Sequence, residues 1–126
     1  MDERENRDTV EQAIALLDKQ DWDGLGELFA DDFVLNWPQS GEMVRGKQNC
    51  VTIFRNYPGG TPTMELKQVR VAGDLAVAEA TFQYPDGTYN GVMIFELRDG
   101  KITGETDYFA QPFEAPEWRA QWVEKS

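Results

Sequence analysis

From residue 63 onward the chain repeats one device. Runs of alternating apolar and polar residues, near 63–72, 75–84, 88–97 and 101–110, are interrupted by Gly73-Asp74, Pro85-Asp86-Gly87 and Asp99-Gly100. A period of two is that of a strand with one face buried, and Asp-Gly pairs supply the backbone that tight hairpins need. Four such runs in series predict an antiparallel meander, and this order limits what the preceding residues can do: they must cover one of its faces. Their pattern is suited to that. Val10, Ala13, Ile14 and Leu17 recur at helical spacing. Asp21 can cap a second helix carrying Trp22, Leu25, Leu28 and Phe29. The period then switches to two at Phe33, Leu35 and Trp37, until Pro38 stops that strand. Residues 38–46 read as a loop, and Gly46 can start a third helix in which Cys50, Phe54 and Tyr57 share a face. After Pro112, Pro116 suits a helix start, with Trp118 and Trp122 one turn apart and packed on the sheet or on a partner chain. Helices first and strands afterwards predict a single α+β domain over 1–126.

Composition then removes whole classes of chemistry. With 126 residues, one core containing a ligand-sized hollow is feasible, because a chain of this size buries roughly two thirds of its unfolded surface. The sequence has no histidine, which excludes Ser/His/Asp and Cys/His catalysis and every His-ligated metal site. Proton transfer is left to carboxylates, Tyr or Lys. One cysteine, Cys50, excludes an internal disulfide and fits a reducing cytoplasm, where it reads as a small core residue. The net charge of −11 argues against nucleic acid and anionic membrane surfaces as partners. Most of that excess lies in residues 1–32, with 11 acids and 3 bases, and reads as a solvated helical face. Asp31 and Asp32 read as a solvated helix end. No apolar run suggests a signal peptide or a membrane span, and no Gly-rich nucleotide loop or metal-ligand spacing implies a cofactor or metal.

Strand parity gives the site. If both Asp-Gly turns are three-residue loops with a left-handed glycine, Tyr84 faces Thr88, Thr81 faces Gly91 and Glu79 faces Met93. Across the second turn Leu97 faces Thr103, and Met93 faces Asp107. Glu79, Met93 and Asp107 then form one row, with the two acids on the order of 10 Å apart at Cα and their side chains converging. Such a row is either a carboxylate pair in a partly apolar pocket or two acids on a wetted sheet face. Gly91 marks a close approach by ligand or backbone, or a bulge. Asn36 either orients water or satisfies a neighbouring loop. Tyr57, Tyr89 and Tyr108 are candidate donors or core residues.

Three stretches taken together resemble the SnoaL-like branch of the nuclear transport factor 2-like superfamily. They are Asp21-Trp22-Asp23-Gly24-Leu25 running to Phe29-Ala30-Asp31-Asp32-Phe33, then Val44-Arg45-Gly46-Lys47, then Phe95 to Ile102 running to Asp107-Tyr108-Phe109. The resemblance implies a cone-shaped, curved antiparallel sheet closed on one side by three helices, with a short C-terminal helix, a largely apolar cavity and a homodimer through the outer sheet face. It also implies that Asp107 is a general base, that Asn36 holds water or an oxyanion, and that Glu79 stands near a second, acid-role carboxylate. Ligand contacts are expected from Trp37, Tyr57, Thr81, Tyr89, Gly91, Met93 and Phe109, with the facing of Trp37 and Met93 left open. Val77 and Val34 stand where epoxide hydrolases of this group have an arginine and a tyrosine, and Trp37 stands where a ketosteroid isomerase has an aspartate. Those two reactions in their known form are therefore disfavoured. The expected function is cofactor-independent proton abstraction or water activation on a compact apolar or carbonyl-bearing molecule, of isomerase, cyclase or hydrolase type. A ligand-binding protein without turnover and a dimeric interaction module are the alternatives.

Overall fold

A computed structural model describes residues 2–126. Helix α1 (Glu3–Asp18) starts where the Asp2 carboxylate accepts from the Glu5 N–H at 2.8 Å, and α2 (Trp22–Leu28) starts where Asp21 accepts from the Gly24 N–H at 3.0 Å. Strand β1 (Phe29–Trp37) follows without a loop, so Asp31 and Asp32 lie on a strand and not at a wetted helix end. They pair there with Lys47 and Arg98. The predicted loop 38–46 contains a short strand, β2 (Glu42–Arg45), and leads into α3 (Lys47–Arg55). Strands β3 (Thr63–Ala72), β4 (Leu75–Tyr84), β5 (Gly87–Arg98) and β6 (Lys101–Ala110) form the meander. The tail ends in a short 3-10 helix (Glu117–Trp122) that Pro116 precedes. Trp118 and Trp122 on it are 73% and 72% exposed, so neither is buried against the sheet.

The six strands form an open sheet in the order β2-β1-β6-β5-β4-β3. It is mixed, because β1 runs parallel to β6 while every other pair is antiparallel. The helices lie against one face. Val10, Ala13 and Ile14 of α1 and Leu25 of α2 cluster there with Phe33, Leu35, Met93 and Phe95. Ala76, Ala78 and Ala80, all buried on β4, keep this face shallow enough for α1 to approach. Asn6, fully buried on α1, clasps the β3–β4 turn by donating to the Gly73 carbonyl at 3.0 Å and to Asp74 Oδ1 at 3.1 Å. No helix among the described residues is long and apolar enough to cross a membrane.

The two hairpins that were to bring the acids together behave differently. In the first, Gly87 has φ 137° and joins the ladder opposite Tyr84, so the loop is only Pro85-Asp86. Every residue of β4 is therefore offset by one from the expected pairing. Glu79 faces Val92, Ala80 faces Gly91 and Thr81 faces Asn90. A slip of one residue exchanges the faces of a strand, and Glu79 turns to the outside of the sheet. In the second hairpin Asp99-Gly100 is a two-residue loop, Leu97 faces Ile102, and an extra residue at Thr103 then restores the register. Met93 faces Asp107, as the sequence predicts.

Candidate functional site

Between the helices and the inward face of the sheet lies a cavity of about 340 Å³. Its walls are aromatic: Trp37 from β1, Phe54 from α3, Tyr57 just beyond it, Phe82 and Tyr84 from β4, and Phe109 from β6. Phe82 and Phe109 meet edge to face with centroids 5.1 Å apart. The exposed Gln39, Ser40 and Glu42 stand at its mouth. Gln39 ties this edge to the sheet, donating to the Phe109 carbonyl at 2.6 Å and accepting from the Phe109 N–H at 2.5 Å.

Two carboxyl groups point into this apolar enclosure from β6. Glu105 and Asp107 are two residues apart, hence on the same face, and are only 8% and 5% exposed. Burial strips water from both, and this is the main reason both hold protons more tightly than ordinary carboxyl groups do. Glu105 rises well above the usual range, helped by the neighbouring Asp107 charge. Asp107 rises even though the neighbouring Glu105 carboxyl and the Trp37 indole N–H, which donates to Oδ2 at 3.2 Å, both favour its charged form. Asp107 Oδ1 is buried and has no hydrogen-bond partner. Of the two, Glu105 is pushed further towards its protonated form, which makes it the candidate proton bearer and Asp107 the candidate base. Around the pair, the Cys50 thiol and the Tyr84 hydroxyl are held neutral, chiefly by their own burial. Among the described residues no group of three His, Cys, Asp or Glu side chains is placed to hold a metal ion.

The structure separates the sequence-predicted site residues into two groups. Asp107, Trp37, Tyr57, Met93 and Phe109 line the cavity, and the open question of Trp37 and Met93 closes with both facing inward. Asn36, Glu79, Thr81, Tyr89 and Gly91 do not line it. Asn36 lies opposite Thr106 and Met43 with the outward parity of Val34, because Phe33, Leu35 and Trp37 take the inward positions of β1. Glu79, turned out by the register of β4, accepts from Arg70 Nη1 at 2.8 Å on the outer face. Thr81 shares that outward parity. Tyr89 donates its hydroxyl proton to Asp86 at 2.9 Å, at the rim. Gly91 does mark a close approach, but the visitor is a side chain: a methyl group built on it would lie 2.2 Å from the Phe82 ring. The residue that sequence reasoning missed is Glu105. Its signal was present, since it stands two positions before Asp107 on a strand and must share its face.

The SnoaL-like domain family matches residues 10–105. An NTF-2 like protein of unknown function from Burkholderia xenovorans LB400 is 32% identical, with 100% of this chain and 98% of that one covered and a TM-score of 0.92. A proposed ketosteroid isomerase from Kribbella flavida DSM 17836 has 23% identity, coverage of 100% and 93%, and a TM-score of 0.91. An LEH-like epoxide hydrolase from M. tuberculosis has 24% identity, coverage of 86% and 85%, and a TM-score of 0.73. At those identities the last two show likeness of fold alone. No curated protein sequence matches the chain.

Proposed function

Because the chain belongs to the SnoaL-like domain family, we propose that it is a small-molecule enzyme in which Asp107 is the general base and Glu105 the proton-bearing partner. The reaction is proton abstraction or water activation on a compact apolar or carbonyl-bearing substrate, which needs proton transfer and no redox step. The observation that carries this reading is the burial of both carboxyl groups in an aromatic enclosure large enough for a small ligand. A dry carboxylate gains basicity, which a base working near neutral pH requires. The Trp37 indole fixes Oδ2 of Asp107, leaving Oδ1 to meet either the Glu105 proton or the substrate. Glu105 can then return a proton to the carbon or oxygen that needs it. That is the role the family resemblance implies for Glu79, which the register of β4 removes from the cavity.

The test is a panel of enolisable carbonyl compounds and small epoxides incubated with the protein in D2O, followed by mass spectrometry for incorporated deuterium or added water. Asp107→Asn is expected to lower the rate on any turned-over compound by roughly 10²- to 10⁴-fold with the fold intact, the usual contribution of a positioned base. Full activity in that variant would end the catalytic reading and leave a binding cavity.

The homodimer is proposed through the outer sheet face, which the helices leave uncovered and which carries the half-buried Val34, Val77, Val92 and Ile94. Ile94→Arg on that face is expected to convert a dimer to a monomer by light scattering. A wild-type protein that is monomeric at micromolar concentration would contradict it.

A further inference from the structure

The cavity is charged in one sense only. Its lining includes Glu42, Glu105 and Asp107 but neither Lys nor Arg, and the chain has no histidine to supply a positive group. An anion entering such a space would meet carboxylates at low dielectric with no counter-charge, and a neutral molecule would leave the Asp107 charge buried and unpaired. A cation would pair with it. The walls suit the same guest, because aromatic faces attract positive charge, Trp most strongly, and aromatic cages are a recurring way to hold methylated ammonium groups. Trp37 already touches Asp107 through its N–H, so one residue offers both an aromatic ring and the anchor of the counter-ion.

We propose that the cavity selects a small organic cation, an amine or quaternary ammonium group carried by its ligand, with Asp107 as counter-ion and Trp37, Tyr57, Phe82, Tyr84 and Phe109 as the enclosing walls. This rests on the reading of the cavity as the substrate site and adds the charge of what enters it. Binding also has a pH signature. The groups that face the pair are Trp37 from β1, Glu42 from β2, Cys50 from α3, Tyr57 after it and Tyr84 from β4, whereas α1, α2 and β5 present only apolar side chains such as Leu17, Leu25 and Met93. A permanently charged guest favours the ionised pair and displaces its shared proton, so affinity for it rises with pH across the range in which Glu105 and Asp107 hold protons.

The experiment compares choline, its neutral isostere 3,3-dimethylbutan-1-ol, and the anion 3,3-dimethylbutanoate. Each is titrated into the full chain while the indole N–H resonance of Trp37, assigned through Trp37→Phe, is followed by NMR. The expected result is a Kd for choline at least tenfold below that of the alcohol, tightening as pH rises, with no shift from the carboxylate. In Asp107→Asn the tenfold preference disappears. Glu105→Gln, which keeps the shape and an N–H donor, retains the preference with a weaker pH dependence, since Asp107 alone is then left to titrate. Equal or tighter binding of the alcohol would overturn the inference and leave the cavity as a ligand site. A Trp37 resonance that no probe moves would overturn both.

Discussion

Replacing Gly91 with alanine is expected to destabilise the fold by about 1–3 kcal/mol, the usual cost of overpacking a filled interior. The added methyl would lie 2.2 Å from one ring carbon of Phe82 and 2.7 Å from another, far inside contact distance. Phe82 is 4% exposed and set edge-on against Phe109, so its ring has no free space behind it except the cavity. The same substitution therefore shrinks the ligand space. A double-mutant cycle with Phe82→Leu, read by urea denaturation, should give a coupling energy of about 1 kcal/mol or more between the two sites, as expected for residues in contact. Additive effects would mean that Gly91 is there for some other reason.

The second large effect is a pH profile of unusual sign. For most proteins paired carboxylates lose stability as pH falls, whereas here the buried pair loses it as pH rises. Glu105 and Asp107 hold protons more tightly folded than unfolded, where their ordinary values are 4.5 and 3.8. Below those values both states are protonated and the contribution is fully present. As pH rises through that region the unfolded chain gives up protons that the folded chain keeps, and the folded state is penalised progressively until its own carboxyl groups ionise. The double variant Glu105→Gln with Asp107→Asn removes the penalty while keeping size and hydrogen bonding. Its melting temperature at pH 8 should exceed that of the wild type, by about 4 °C for each kcal/mol relieved at this chain length, and should vary less from pH 4 to pH 8. Equal melting temperatures at pH 8 would show that the pair is solvated. The ion pairs on the outer surface, Arg70 with Glu79 and Arg98 with Asp32, act in the opposite direction, but exposed pairs contribute little.

How much of this was legible depends on which backbone decision each residue hangs on. The helices and the four meander strands followed from periodicity and from caps such as Asp21, because amphipathic spacing and burial point the same way there. Met93 opposite Asp107 was legible only because the bulge at Thr103 offsets the shorter Asp99-Gly100 loop, two changes that cancel. At Pro85-Asp86-Gly87 nothing cancels, and one glycine entering the ladder sends Glu79 to solvent. Nothing in the local sequence distinguishes those two cases. Asn36 is a different kind of error. It shares a face with Val34 while Phe33, Leu35 and Trp37 take the inward positions, so the role that the resemblance implies for it has no support in the parity of the strand. Strand β2 was hidden because Glu42–Arg45 is short and mostly exposed, with only Val44 buried. The volume and lining of the cavity are not legible in the sequence, since they depend on how α3 and the residues after it stand off from the sheet.

The central claim is that Glu105 and Asp107 share a proton in a dry aromatic enclosure. Carbon-13 NMR of their side-chain carboxyl groups, assigned through Glu105→Gln and Asp107→Asn and followed from pH 3 to pH 9, tests it directly. The account predicts that the Glu105 carboxyl stays protonated well above the ordinary carboxylate range and that its signal moves when Asp107 is replaced. Two independent titrations in the ordinary carboxylate range, complete by pH 6, would contradict it.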